Sequence, residues 1–378
     1  MKQNFDCYGR GIANCTTDPG DSGFSGKRLA RRLTTTLSFP EIGLGPLVRM
    51  QIDGVAVHDL EHDFVLDKYA AIPGVYYRPF RELQFALSQS FEHNEATIFG
   101  FDSIANYLEA QALAGNSNAD LATLLRFPNV PSHAFAQRLT VTYDRRDNTF
   151  NPHRGTLFVS GFEHTDWFGE GPECETVSGL QTCSVPAGHT VRFTEKFAAY
   201  VPVTKTITLA GEIRGGLNVQ LVPNSQTYPD RLFFLGGVDS MRGYLQDSMV
   251  TQEDADHIAS DANNARIAAA NKFTIADVGI RGGNLMLNPK LELRIPIHPP
   301  IDTVLFTDAG NIWQDPTYIL THGLNLRVAA GSGVRIETPI GPLAFDYGVN
   351  LSRLFSAPTN PRRTYEDFGA FHFAIGLF

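Results

Sequence analysis

Residues 206–221 read TITLAGEIRGGLNVQL and alternate almost without a break. Ile207, Leu209, Ile213, Leu217, Val219 and Leu221 fall on one side of an extended chain; Thr208, Glu212, Arg214, Asn218 and Gln220 fall on the other. A period of two marks a β-strand with one apolar and one polar face. The run exceeds the usual strand of about 5–6 residues and approaches the length a tilted strand needs to cross a bilayer.

The same pattern recurs along the chain. Leu83, Phe85, Leu87 and Phe91 alternate with Gln84, Ser88, Ser90 and Glu92, and Leu343, Phe345, Tyr347, Val349 and Leu351 alternate with Asp346 and Asn350. Leu326, Val328, Val334, Ile336 and Ile340 oppose Arg327, Arg335 and Glu337. Water-soluble sandwiches also alternate, with the polar face in solvent. Here the polar faces mix Arg, Glu, Asp and Asn with Gly, as a crowded wet lumen requires. Connections alternate in length as well. Short turns are expected at 40–46, 78–80, 150–155, 204–205, 298–302 and 341–342, and long loops at 92–132, 169–190, 222–282, 314–325 and 353–367, with a shorter link at 58–62 on the long-loop side. That parity is the habit of outer-membrane barrels.

Composition agrees. Of 378 residues 43% are hydrophobic, yet no run approaches the ~18 apolar residues of a membrane helix. The net charge of −9 argues against nucleic acid as a partner, because phosphate contacts need a basic surface. The reading is an all-β, antiparallel transmembrane β-barrel with thirteen crossing strands, from near Lys27 to Phe378. Residues 1–26 are assigned to a loop on the extracellular side and 27–378 to the barrel. A closed bacterial barrel normally has an even strand number, so the chain is expected to be short at its N-terminus by an odd number of strands. No signal sequence follows Met1, which suggests a mature chain or a fragment.

Four cysteines form two close pairs, Cys7 with Cys15 and Cys174 with Cys183, among Gly, Pro, Asp and Thr. Two loop disulfides in an oxidising compartment are the simplest account, with free thiols as the alternative. Neither pair has the tight spacing of zinc ligands. Residues 58–62 read HDLEH, formally a zinc-peptidase pattern. Such ligands need a helix, and these residues join two strands, so no metal and no cofactor are expected. The lipase pattern Gly-x-Ser-x-Gly does not occur. Residues 254–272, rich in Ala and Asp, allow a short helix that is expected to be a solvated feature of the loop.

The segment most loaded with chemistry is RLFFLGGVDSMRGY, residues 231–244. Its triplet Arg242, Gly243, Tyr244 closely resembles the loop motif of the BamA/TamA superfamily, the bacterial surface antigen family. TVLFTDAGNIW (303–313), KLELRIPI (290–297), RIETPIGPL (335–343) and DRRDNTFNPHRG (144–155) are similar to further segments of that family, in the same order. The resemblance implies a barrel of the sixteen-strand type in the bacterial outer membrane and a function in folding and inserting other barrels, with no enzymatic step. It implies nascent outer-membrane proteins and lipid as partners, with accessory proteins reached through periplasmic POTRA domains that this sequence lacks. It also implies a loop folded into the lumen, its Arg242 held by Glu292 and Asp308. A polypeptide-secreting sibling barrel and a passive diffusion porin stand as alternatives.

The physics of the triplet is independent of the family. A guanidinium in a narrow lumen needs fixed anions, and its planar fork suits two carboxylates. Gly243 is read as allowing a sharp turn and Tyr244 as packing on the inner wall. Glu292 and Asp308 lie equally far from the turn at 298–302, which predicts neighbours across the strand pair. The chain ends FHFAIGLF, similar to the terminal signal of barrel proteins. Phe371, Phe373 and Ile375 share one face, and Phe378 falls on the other.

Overall fold

Each alternating segment becomes a strand. The computed structural model describes residues 30–61, 63–98, 131–171, 173–177, 180–222, 225, 227–264, 272–336, 338 and 343–375. The strands are β1 (Arg31–Phe39), β2 (Val48–Leu60), β3 (Phe64–Phe80), β4 (Leu83–Ile98), β5 (Ser132–Asp144), β6 (Gly155–Gly169), β7 (Glu173–Val177), β8 (Leu180–Ser184), β9 (Ala187–Pro202) and β10 (Thr208–Gln220). They continue with β11 (Leu285–His298), β12 (Ile301–Trp313), β13 (Arg327–Ile336), β14 (Leu343–Asn350) and β15 (Gly369–Ile375). Thirteen of them form one antiparallel sheet in chain order, the number read from the sequence, while β7 and β8 form a separate hairpin in the β6–β9 loop. The ends of the sheet, β1 and β15, are not paired with each other among the described residues.

The two faces are inverted relative to a soluble protein. Leu87, Phe91, Phe162, Phe197, Ile213, Leu291, Leu305, Phe371 and Phe373 are exposed on the outside. Glu92, Asn94, Glu163, Asn218, Asn288, Asp308, Asn311, Asp346 and Asn350 are buried on the inside. Apolar groups turned outward over a polar interior are stable only against lipid. Glu212 and Arg214 lie on the inner face. Glu212 takes Lys290 at 2.8 Å, Lys196 at 2.9 Å and Arg214 at 2.6 Å, and Lys290 also donates to the carbonyl of Asp239 in the loop between β10 and β11 (2.7 Å).

Several boundaries differ from the sequence reading. β4 continues to Ile98, so residues 92–98, expected in a loop, are strand. Their inner residues Glu92 and Asn94 face the inserted loop rather than solvent. The expected turn at 150–155 belongs to a ten-residue connection between Asp144 and Gly155, held by Asp147, which accepts backbone N–H bonds from Asn148, His153 and Arg154. In the expected helix region, α1 (Gln252–Asn263) is capped by Thr251 and buries Ala255 and Ile258 against Val250, Phe273 and Val278. It is packed, not merely solvated, because the loop that carries it folds inward.

Cys174 and Cys183 stand opposite each other in the β7–β8 register. Cys7, Cys15, the whole of residues 1–26, Phe378 and the turn at 341–342 lie outside the described residues. Of the HDLEH segment, His58 to Leu60 belong to β2, and His58 Nδ1 meets Asp67 at 2.7 Å; His62 lies outside the described residues. A strand cannot gather these five residues onto one ion.

Candidate functional site

The β10–β11 loop turns into the lumen and is fixed at several heights. Near its start, the phenol of Tyr228 donates to the carbonyl of Asn94 (3.2 Å). A pair of backbone bonds between Phe233 and Gly283 (2.9 and 3.0 Å) ties the entering and leaving segments together. Gly236 and Gly237 adopt φ of 121° and 99°, where a side chain would be strained. They supply the reversal that brings Arg242 to the wall.

Every side-chain nitrogen of Arg242 donates to a carboxylate. Nε and Nη2 fork onto the two oxygens of Asp308, each at 2.8 Å, and the backbone N–H also donates to Asp308 at 3.0 Å. Nη1 donates to Glu292 at 2.6 Å and lies 3.6 Å from Asp346. The guanidinium carbon sits 3.6 Å from the ring centre of Phe306, a cation–π contact. The carbonyl of Arg242 accepts from Nε2 of His372 on β15 (3.1 Å). Burial works to lower the pKa of Arg242, and the carboxylates of Asp308 and Glu292 more than reverse it, so the group is held charged.

The two acids are diagonal rather than opposite. Asp308 pairs with Lys290 and Glu292 with Phe306, because the register shifts between Pro296 and His298 and the turn narrows to residues 299–300. Residues two apart share a face, so both carboxylates still reach one guanidinium. Asp346 on β14 was not foreseen. It is also held by Arg335, from Nη2 at 2.9 Å, and Arg294 donates to Glu292 at 2.8 Å.

Gly243 has a different reason from the one first read. It is not among the residues with positive φ. A Cβ there would lie 2.5 Å from Cβ of Ala329 and 3.2 Å from backbone atoms of Val349 and Asn350. The loop backbone presses directly on β13 and β14, and glycine is the residue that fits. Gly243→Ala is therefore expected to cost about 2 kcal/mol through overpacking, read as a lower thermal midpoint in micelles. Ala329→Gly in the same chain should recover part of the loss.

Tyr244 is buried among Leu235, Met241, Met249, Ile312 and Ala329, and its hydroxyl reaches Asn350 (3.0 Å) and Glu366 (3.3 Å). Phe371, Phe373 and Ile375 point outward and are more than half exposed, at 63%, 52% and 53%.

A second clamp was missed by the sequence reading. Arg231 at the other end of the motif donates from Nη2 to both oxygens of Glu92 (2.8 Å each), from Nε to Glu163 (2.9 Å), and from Nη1 to Asp230. Lys68 adds bonds to Glu92 (2.8 Å) and Asp230 (3.0 Å), and Arg138 binds Glu163. Apart from Asp230, which belongs to the loop itself, these residues come from β3, β4, β5 and β6, while the Arg242 partners come from β11, β12 and β14. The loop is thus held by one arginine on each side of the lumen. The available signal was a pair of inward acids, Glu92 and Glu163, with no local cation on their own strands. A third tether is the backbone N–H of Arg281, donating to Asp63 at 2.8 Å.

Comparison with known proteins follows the same geometry. The Omp85 superfamily domain matches residues 78–378. Over 239 residues, 63% of this chain, the sequence is 27% identical to outer membrane protein assembly factor BamA of Nitratidesulfovibrio vulgaris, of which the chain spans 24%. Over 155 residues, 39% of this chain, it is 23% identical to chloroplastic outer envelope protein 80 of Arabidopsis thaliana, of which it spans 15%. The crystal structure of BamA from Haemophilus ducreyi lacking POTRA domains 1–3 is similar in fold, with a TM-score of 0.57 at 15% identity, covering 90% of this chain and 61% of that one.

Proposed function

Because the chain belongs to the Omp85 superfamily, we propose that it is the barrel domain of a bacterial outer-membrane assembly factor that folds and inserts other β-barrel proteins. The observation that carries this reading is the loop held inside the barrel by Arg242 against Asp308 and Glu292. A passive pore gains nothing from a plug locked to its wall by a buried guanidinium, whereas a machine that opens at its seam needs the wall beside its last strand kept in shape. The last strand, β15, whose outer edge is unpaired among the described residues, is one side of that seam, since an incompletely paired edge can template an incoming strand.

On this reading the partners are nascent outer-membrane β-barrel proteins and outer-membrane lipid, with periplasmic accessory proteins engaged through POTRA domains. Insertion makes and breaks no covalent bond and uses no cofactor or nucleic acid. The terminal Phe371, Phe373 and Ile375, with Phe378, serve the chain's own recognition for insertion. The pairs Cys7–Cys15 and Cys174–Cys183 are proposed as disulfides in the outer loops.

The test is folding of a urea-unfolded client barrel in phospholipid vesicles with and without this chain. The client's heat-modifiable band should appear faster with the chain present. Client folding at the rate of empty vesicles overturns the proposal. In that case, protease-protected polypeptide inside the vesicles identifies a secretion barrel, and solute leakage alone identifies a porin.

A further inference from the structure

We propose that His93, His133 and Glu170 form a binding site for a divalent transition-metal ion of the zinc class on the outer wall of the barrel, at its long-loop rim. The three residues come from neighbouring strands. His93 on β4 is the direct register partner of His133 on β5, and Glu170 follows the last residue of β6. Oε1 of Glu170 lies 3.0 Å from Nδ1 of His93 and 2.9 Å from Nε2 of His133, and the three donor atoms all lie within 4.8 Å of one another. Ligands about 2.0–2.1 Å from a tetrahedral zinc sit roughly 3.3 Å apart, so a small inward shift of the imidazoles completes the site.

The donors are held before any ion arrives. Tyr69 stacks on His93 at 6.4 Å between ring centres, and Phe168 packs beside His133 at 5.7 Å. The backbone N–H of Glu170 donates to the carbonyl of Pro131 at 2.7 Å. Two imidazoles and one carboxylate suit zinc, nickel or copper better than magnesium or calcium, and three protein ligands leave a fourth position for water.

Among the described residues the outer rim carries two other histidine–carboxylate groupings, and they decide that convergence is the special feature here. His58 meets Asp67 at 2.7 Å, and His189 meets Asp166 at 2.7 Å with His164 at 3.7 Å from the same oxygen. Among the described residues, only His93, His133 and Glu170 bring three such donors together. His93 lies ten residues into β4, about 33 Å along the strand and, at a tilt of about 40°, about 25 Å above the short turn. That is the upper limit of the apolar band, where an ion can reach water while bracing the ends of β4, β5 and β6. The sequence reading expected no metal, because the ligands are spread over three strands and no local spacing announces them.

The test uses the whole oxidised chain in detergent micelles after chelator treatment. Co2+ titration should give the visible absorption of a tetrahedral centre, displaced by one equivalent of Zn2+. His93→Gln, His133→Gln and Glu170→Gln should each weaken binding by about tenfold or more, while His58→Gln and His189→Gln leave it unchanged. All five side chains are partly exposed, and retention of the heat-modifiable band checks that each variant folds. Absence of saturable binding, or binding that survives the triple variant His93→Gln/His133→Gln/Glu170→Gln, overturns the proposal.

Discussion

Arg242→Ala should lower the stability of the folded barrel by about 3 kcal/mol, the size of effect seen when one partner of a buried ion pair is removed. Three guanidiniums, Arg242, Arg294 and Arg335, meet three carboxylates, Glu292, Asp308 and Asp346, in one connected network. Without Arg242 the carboxylates outnumber the cations. Asp308, which is fully buried, loses both hydrogen bonds it takes from the guanidinium and keeps only the one from the backbone N–H of residue 242. A thermal midpoint lower by roughly 5 °C is the expected readout. Arg242→Lys keeps the charge but cannot fork onto Asp308 while reaching Glu292, so it should fall between wild type and alanine. A midpoint equal to wild type for the alanine variant would show that the clamp contributes nothing to the folded state.

Arg231→Met should be at least as costly, about 3–5 kcal/mol. Methionine fills much of the space but leaves Glu92, Glu163 and Asp230 with Lys68, Arg138 and the nearby Arg192 as counter-charges. Adding Glu92→Gln should recover part of the loss, because it removes one of the stranded anions. The two clamps draw on strands from different parts of the sheet and share no partner, so Arg231→Met and Arg242→Ala should add in stability. Combined unfolding data that show strong coupling would mean the loop responds as one rigid body.

Much of the fold was legible because lipid outside and a polar lumen inside force every strand to alternate. The thirteen-stranded sheet and the parity of its connections both follow from that constraint. Strand ends were less legible. Backbone pairing carries β4 on to Ile98, and residues there alternate between the lumen and the outer rim without a lipid boundary to mark them. The register of β11 against β12 was misplaced by two residues because an irregularity near Pro296 is invisible to counting from a turn.

The candidate site divides in the same way. Arg242, Glu292 and Asp308 could be named together because a motif and a short hairpin place them. Asp346 and Arg231 could not, since their partners arrive from strands far away in sequence. Gly243 was identified but explained wrongly. The backbone reversal is made by Gly236 and Gly237, and Gly243 is there for close approach to the wall. Likewise α1 reads as polar and solvated in sequence, yet it packs where the loop returns.

The most direct measurement is the rate at which an unfolded client barrel folds in vesicles carrying equal amounts of wild-type, Arg242→Lys or Arg242→Ala protein. Equal incorporation and a heat-modifiable band for each variant separate loss of function from loss of the barrel. Wild type should accelerate folding, lysine should retain part of that acceleration, and alanine should fall to the rate of empty vesicles. Wild-type acceleration by the alanine variant would contradict the claim that the loop clamped inside the lumen is what lets this barrel insert others.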